Sequence, residues 1–222
     1  MTATSHHRIV LVHAVQVAMG PVEQAFQRLW PEAERVNLLE DSLSVDRGKS
    51  SDLTPAMFDR FARLGAYARD IGADGILFTC SAFGEAIEAV AKASAVPVLK
   101  PNEAMFEAAL DAGQDIGMIA TFERSVPSLE AEFRALAAAR GSTARIRSVF
   151  EPRAMVALQA GDAATHNALM AEAATRLGRP DAILLSQFST SIAEAAVADR
   201  TGRPVLTSPG SAVAKMKRAV GA

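Results

Sequence analysis

Cys80 is the only cysteine of this 222-residue chain and the side chain best suited to chemistry. It lies within residues 75–84, GILFTCSAFG, which are typical of a strand that runs into a helix. Free N–H groups of Ser81 and Ala82 at such a helix start favour a bound anion and lower the pKa of a nearby thiol. This position predicts a thiol or thiolate beside a bound carboxylate, with Ser81 as a hydroxyl donor. The alternative is that Cys80 is a small buried hydrophobic residue.

Two polar residues stand where other predicted strands end. Thr121 follows the apolar residues 116–120, and its hydroxyl and N–H could bind a carboxylate, although a helix N-cap is an alternative role. His13 ends the first predicted strand, where a neutral imidazole could donate to a carboxylate or relay a proton. The alternative for His13 is a structural histidine whose ring nitrogens are satisfied inside the fold. We therefore take His13 as a catalytic candidate and Thr121 as a substrate-binding candidate.

Strand-end loops also carry aromatic residues and a polar segment. Phe83, Phe122 and Phe188 could line a pocket for an aryl or alkyl group, or could belong to the core. The polar stretch over residues 44–52, which includes Arg47 and Lys49, could form a mobile lid. It could equally be a simple connection.

These candidates need a scaffold of alternating strands and helices. Apolar runs of strand length cover residues 8–12, 35–39, 75–79, 96–99, 116–120, 145–150, 182–186 and 204–207. Longer stretches with helical spacing of apolar residues lie between them, as over residues 55–71. Short buried strands that alternate with helices predict an α/β fold with parallel, Rossmann-like sheets.

The sequence repeats weakly at a constant offset of 107 residues. Residues 74–77 (DGIL) align with 181–184 (DAIL), and residues 97–99 and 204–206 are both PVL. One offset across separate segments indicates a duplication and therefore two pseudo-symmetric halves. We predict that residues 1–100 with about 207–222 form the first half and residues 101–206 the second. Loops after the strands of both halves should then meet in one active-site cleft.

Composition excludes several classes of function. The 23 basic and 25 acidic residues give a net charge of −2, with no basic stretch suited to nucleic acid. One cysteine and four histidines without HExxH spacing argue against a metal site. No GxGxxG or P-loop pattern is present. The longest near-apolar run, residues 9–19, is shorter than the roughly 20 residues that span a bilayer, so we predict a cytoplasmic protein with no membrane partner.

Five stretches together resemble a known family. They are residues 74–81 (DGILFTCS), 97–101 (PVLKP), 115–121 (DIGMIAT), 181–186 (DAILLS) and 204–208 (PVLTS). Their order, their spacing and the place of the cysteine resemble the Asp/Glu/hydantoin racemase superfamily. That superfamily includes aspartate, glutamate and hydantoin racemases, maleate isomerase and arylmalonate decarboxylase. The resemblance covers nearly the whole chain.

The resemblance implies a cofactor-independent enzyme with a small carboxylate-containing substrate. In the racemases of this family, one cysteine removes the α-proton as a thiolate and a second cysteine delivers a proton to the opposite face, without a metal. Cys80 matches the first cysteine, and Thr121 matches a threonine that contributes to carboxylate binding. The predicted substrate-binding residues are Ser81, Ala82, Thr121, Phe122, Gln187, Phe188 and Ser189. Dimers are common in the family, so a homodimer is a possible assembly.

The second cysteine of the family is missing here. The offset of 107 places Gln187 opposite Cys80, and a slip of two residues would place Ser189 there instead. Neither side chain carries protons readily at neutral pH, so a two-thiol racemase would need another acid such as His13. A single thiol would suffice for an arylmalonate-type decarboxylase, which is the first alternative. A non-catalytic binder of small carboxylates is the second.

A third alternative, a cysteine hydrolase, ranks last. Cys80 would then be the nucleophile and His13 the base, but no acid that could orient His13 is evident in the sequence. The GxSxG-like elbow of such enzymes is also missing. We therefore predict a racemase- or isomerase-type enzyme that uses Cys80 for proton transfer at the carbon α to a carboxylate or amide.

Overall fold

The protein is an α/β protein with two parallel four-stranded sheets. The computed structural model describes residues 6–50 and 52–222. Its strands are β1 (Arg8–His13), β2 (Glu34–Leu39), β3 (Gly75–Phe78), β4 (Val98–Leu99), β5 (Asp115–Ala120), β6 (Arg145–Phe150), β7 (Ala182–Leu185) and β8 (Val205–Thr207). The strand orders are β2-β1-β3-β4 and β6-β5-β7-β8, and every pair is parallel. The predicted fold class and each of the eight predicted strands are confirmed.

Helices follow the strands along the chain, including the last strand. They are α1 (Met19–Leu29), α2 (Ser42–Gly48), α3 (Pro55–Asp70), α4 (Gly84–Lys92), α5 (Glu103–Ala112), α6 (Val126–Ala139), α7 (Pro152–Gln159), α8 (Ala163–Thr175), α9 (Glu194–Thr201) and α10 (Ser208–Ala219). Caps mark several of their starts. Thr54 accepts from the N–H of Met57 before α3, and Asp162 accepts from the N–H of Thr165 before α8.

The chain divides into two compact units. The first runs to Ala104 and resumes over Ala212–Ala222, and the second is Met105–Ser211. Each unit contains one of the two sheets, with the same strand order. Strands β1 and β5 start and end at positions 107 residues apart, and so do β3 and β7. The repeat in the sequence therefore corresponds to a repeat of structure.

Burial explains which strands stand at the centre of each sheet. Strand β3 is buried along its whole length, as is β7, because helices cover both faces of a doubly wound sheet. The edge strand β2 contains only exposed and half-buried residues. Apolar clusters on the sheet faces form the cores, with Val10, Phe61 and Phe78 in the first unit and Phe106 and Phe133 in the second.

An aspartate at the start of the third strand fastens it to the first strand in both units. In the first unit, Asp74 accepts from the N–H of Arg8 at 2.8 Å. In the second, Asp181 accepts from the N–H groups of Gln114 and Asp115 at 2.8 and 2.9 Å. The aspartate thus recurs in both halves of the sequence because, in each unit, its hydrogen bonds hold the third strand beside the first.

One expected loop is partly helical. Residues 44–52 were predicted to be a polar connection or lid, but Ser42–Gly48 form α2. The apolar side chain of Leu43 is buried and fastens this helix to the core of the first unit, which the surrounding polar residues do not reveal. Ser51 lies outside the described residues. In the described part of the chain, no helix is long and apolar enough to cross a membrane.

Candidate active site

Cys80 lies two residues beyond the end of β3. It is the N-cap of a 3₁₀ turn over Ser81–Phe83, and α4 follows at Gly84. The thiol is half-buried and packs against the core cluster that includes Val12 and Phe78. Ser81 and Ala82 are exposed beside it. The predicted strand-to-helix junction is therefore present, as a single 3₁₀ turn before the α-helix.

The environment of Cys80 raises the pKa of its thiol. Burial is the largest cause, since it disfavours the thiolate, and it outweighs two opposing effects. The backbone N–H of Ala82 bonds to the thiol, and the positive charge of Arg47 acts on it; both lower its pKa. The lowered thiol pKa predicted from sequence is wrong, because the predicted N–H interaction exists but burial is stronger. Cys80 is thus a neutral thiol at neutral pH and a potential proton donor.

Arg47 lies near the thiol but is not among the residues that the sequence predicts for the site. It lies in the last turn of α2, and its Nε donates to the carbonyl oxygen of Ala82 at 3.2 Å. Its guanidinium also donates to the carbonyl oxygen of Ser50. The only signal in the sequence was its position in a polar stretch after β2. The guanidinium fastens the turn that carries Cys80 and adds positive charge beside it.

His13 is fully buried at the end of β1. Its Nδ1 lies 2.8 Å from Thr79 Oγ1, and its Nε2 lies 2.8 Å from Asn37 Oδ1. Burial lowers the pKa of the ring, so the imidazole is neutral at neutral pH. Both ring nitrogens are engaged inside the first unit, which is the structural alternative raised for His13 and leaves neither nitrogen free for a substrate.

Thr121 and Gln187 contact each other in the second unit. Gln187 follows β7, and its Oε1 accepts from the N–H of Thr121 at 3.2 Å and from the Thr121 hydroxyl at 3.4 Å. Its Nε2 donates to Ser125 Oγ at 3.1 Å. The amide oxygen of Gln187 therefore occupies the two Thr121 donors that could hold one oxygen of a carboxylate.

The aromatic candidates differ in exposure. Phe122 is 56% exposed beside Thr121, whereas Phe188 is 7% exposed. Phe83 is fully buried and packs on Phe61, with 4.8 Å between ring centroids, so it belongs to the core rather than to a pocket. Ser189 is half-buried in the 3₁₀ turn after Gln187. Phe122 thus offers the largest apolar contact among these strand-end residues.

The predicted residues form two groups, one in each unit. Cys80, Ser81 and Ala82 are consecutive in the first unit. Thr121 contacts Gln187 in the second, where Phe122, Phe188 and Ser189 follow them along the chain. Among residues 6–50 and 52–222, no three His, Cys, Asp or Glu side chains are grouped so that they could hold a metal ion. The group in the first unit can donate a proton from a thiol, and the group in the second unit can donate hydrogen bonds.

Comparison with known proteins places this fold in a family. A family model described as Asp/Glu/Hydantoin racemase matches residues 11–219. No curated protein sequence matches the chain significantly.

Solved structures resemble the chain along almost its whole length. Aspartate racemase of Picrophilus torridus is 11% identical, with a TM-score of 0.73 over 97% of this chain and 94% of that chain. A variant of arylmalonate decarboxylase in a sulfate-associated form is 20% identical, with a TM-score of 0.69 over 96% and 93%. Allantoin racemase from Pseudomonas fluorescens is 18% identical, with a TM-score of 0.65 over 96% and 90%. At these identities, the likeness is one of fold.

Proposed function

Because the chain belongs to the Asp/Glu/hydantoin racemase family, we propose that Cys80 transfers a proton at the carbon α to a carboxylate or amide of a small molecule. Family membership supports an enzyme of the racemase or decarboxylase type. The proposed reaction is of the racemase or isomerase type and uses no cofactor. The observation that carries it is the place of the one cysteine, half-buried at the end of a central strand and beside a positive charge.

The proposed proton transfer uses the thiol of Cys80 as the donor. The Sγ–H bond breaks as a C–H bond forms at the α-carbon of an enolate-like intermediate, and the thiolate that remains is reprotonated from solvent. The N–H of Ala82 and the charge of Arg47 stabilise that thiolate. In the reverse direction, the thiolate removes the α-proton and generates that intermediate. In a racemisation, water would exchange the proton on the opposite face of the α-carbon.

Carboxylate binding is assigned to the predicted donors Ser81 and Thr121. The hydroxyl of Ser81 is exposed next to the thiol, and the N–H and hydroxyl of Thr121 form a pair of donors. Donors of this kind stabilise the charge that develops on enolate oxygens. Gln187 now holds the Thr121 donors, so the proposal requires its amide to move or to share them with the substrate. Phe122, Phe188 and Ser189 complete the proposed binding surface.

A decarboxylase is the second candidate, and one observation favours it. The position equivalent to Cys80 in the second unit is Gln187, whose amide does not titrate near neutral pH. A decarboxylase needs a proton donor only after CO₂ has left, and the raised pKa of Cys80 suits a donor better than a base. A homodimer and a cytoplasmic location accompany the proposal as expectations.

Solvent deuterium exchange followed by NMR tests the proposal. Wild type and Cys80→Ala are incubated in D₂O with amino acids, hydantoins, 2-aryl propionates, malonates and maleate. We expect the wild type to deuterate the α-carbon of at least one class and Cys80→Ala to lose about 10²–10⁴-fold in rate. Loss of CO₂ with deuterium gained in one configuration would identify the decarboxylase.

The matched control is Ser94→Ala, because Ser94 lies in the first unit in the turn after α4. It should deuterate like the wild type. Equal deuteration by Cys80→Ala and the wild type would contradict the proposal. Saturable ligand shifts in both proteins, without deuteration in either, would favour a carboxylate binder.

A further inference from the structure

We propose that His13 is a positioning residue that holds the strand end carrying Cys80, rather than a second acid. The inference rests on the proposed role of Cys80. It assigns His13 a role through Thr79, which directly precedes the thiol in the chain. Three neighbouring strands contribute, since β1 lies between β2 and β3.

The hydrogen bonds form one chain across these strands. On β2, Asn37 donates from Nδ2 to Glu23 Oε1 at 2.9 Å, and Glu23 Oε2 in turn accepts from Arg35 Nε at 3.0 Å. Because a carboxylate only accepts, the NH₂ group of Asn37 must face Glu23 and its Oδ1 must face His13. His13 therefore carries its proton on Nε2 and donates to Asn37 Oδ1.

This tautomer determines the direction of the last hydrogen bond. With the proton on Nε2, Nδ1 of a neutral ring can only accept, so the hydroxyl of Thr79 donates to it over 2.8 Å. The other acceptor near that hydroxyl is the carbonyl oxygen of Val12, at 3.4 Å. Nδ1 of the ring thus accepts a hydrogen bond from the hydroxyl of Thr79, the residue before Cys80.

The thiol itself faces away from this chain of hydrogen bonds. Cys80 packs against the cluster of Val12 and Phe78, whereas side chains alternate along a strand so that Thr79 faces the other side. His13 can therefore influence the thiol only through the backbone of Thr79. Its effect is to hold Cys80 in the half-buried place where burial raises the thiol pKa.

In the second unit, the positions equivalent to His13 and Cys80 hold neither an imidazole nor a thiol. The counterpart of Thr79 is Ser186, whose hydroxyl donates to the carbonyl oxygen of Ile119 at 3.2 Å. The counterpart of His13 is Ala120, and Ser148 stands in the strand position of Asn37 and donates to Glu130. Among the described residues, both units keep the glutamate and the strand-end hydroxyl, but the imidazole that joins two strands is present only beside Cys80.

Alkylation of Cys80 by iodoacetamide as a function of pH tests the inference without a substrate. His13→Gln can still donate to Asn37 but does not reach Thr79, and Thr79→Val removes the hydroxyl while keeping the shape. We expect both variants to alkylate about tenfold faster than the wild type, the size of effect of one buried hydrogen bond, with the pH midpoint moved downward. The reason is that a released turn exposes the thiol to water.

His13→Asn is the matched control, because its amide oxygen lies near the place of Nδ1 and can accept from Thr79. It should alkylate within about threefold of the wild type. A purely structural role would lower thermal stability in all three variants and leave the alkylation profile of the folded protein unchanged, which would overturn the inference. Thr79→Val carries the test by itself if His13→Gln does not fold.

The outcome is separable from that of the proposed function. α-Deuteration of a substrate should fall in His13→Gln and Thr79→Val while their alkylation rises, since a misplaced thiol reacts with a small reagent but delivers a proton poorly. Altered alkylation in the variants, with no deuteration by the wild type, would retain the positioning role and reject the proposed enzyme.

Discussion

The residue after the third strand makes the same backbone hydrogen bond in both units, but the side chain of the next residue differs. Thr79 and Ser186 each donate their N–H to a carbonyl oxygen of the neighbouring central strand, and their hydroxyl oxygens lie 3.4 and 3.2 Å from the same carbonyl oxygens. The next residue is a thiol in the first unit and an amide in the second. Cys80 packs against the core near the positive charge of Arg47, whereas Gln187 forms hydrogen bonds with Thr121 and Ser125.

The difference shows which features of the repeat are structural. Positions that fasten the sheet are retained in both units, such as Asp74 with Asp181 and Glu23 with Glu130. Cys80 and Gln187, two residues beyond the ends of β3 and β7, have diverged, because a side chain there can change without loss of strand pairing. The two units therefore share a strand order but differ in the side chains that follow the third strand.

Introducing a second thiol at Gln187 should have the largest effect on the difference between the two units. If the first unit alone carries the proton-transfer group, the wild type should exchange the α-proton of one configuration faster than that of the other. Gln187→Cys places a thiol next to the Thr121 donors, and the slower configuration should then exchange about 10²-fold faster. Deuterium incorporation with chiral separation of the products measures the change. Gln187→Ser is the control, and an equal gain in it would reject the role of the thiol.

The two cores should respond alike to the loss of an equivalent aromatic residue. Phe26 and Phe133 stand at matching positions of the repeat, and both are fully buried. Phe26→Ala and Phe133→Ala should each lower the free energy of unfolding by about 3–5 kcal/mol, because each leaves a cavity. Urea denaturation measures both. A loss below about 1 kcal/mol in either variant would contradict the equivalence of the cores.

A methyl group added at Gly113, just before β5, should lower the stability of the second unit, because the space there is already filled. A Cβ at Gly113 would overlap the side chain of Asp181, which turns back onto the N–H groups of Gln114 and Asp115. Gly113→Ala should therefore cost about 1–3 kcal/mol of stability. Gly20→Ala, in open space within α1, should instead be neutral or stabilise by up to about 1 kcal/mol. Thermal unfolding compares the two, and equal effects would contradict the argument from space.

Acid should weaken the hydrogen bonds that Asp181 accepts from Gln114 and Asp115, and this should be the smallest of the expected changes in stability. The N–H groups of Asp115 and Gln114 hold the pKa of this carboxyl below its ordinary value of 3.8. A lowered folded-state pKa adds stability above pH 3.8, and that stability is lost as pH falls through the lower value. Asp181→Asn should flatten the fall of the unfolding midpoint in this acidic range. Asp74→Asn is the matched variant, and an unchanged acid profile in Asp181→Asn would count against the contact.

Local sequence patterns were enough to predict the fold and the place of the thiol. Strands depend on short apolar runs and helices on apolar residues spaced about 3.6 positions apart, so the eight strands and the junction at Cys80 could be predicted from residues close in the chain. The repeat could be found by comparing such segments at one constant offset. The family could also be recognised, because its motifs lie at strand ends whose order and spacing are visible in the sequence.

The environment of the side chains depended on contacts between distant segments. Arg47 lies 33 residues before the cysteine, and it approaches the turn at Ala82 only because α2 packs beside it. His13 bonds to residues 24 and 66 positions away, so both nitrogens of its buried ring are engaged, which the residues next to it in the sequence do not indicate. The thiol pKa rises because the packed core removes water from Cys80, whereas the sequence showed only the N–H groups that lower it. Secondary structure follows from neighbours along the chain, but burial and hydrogen bonding follow from neighbours in space.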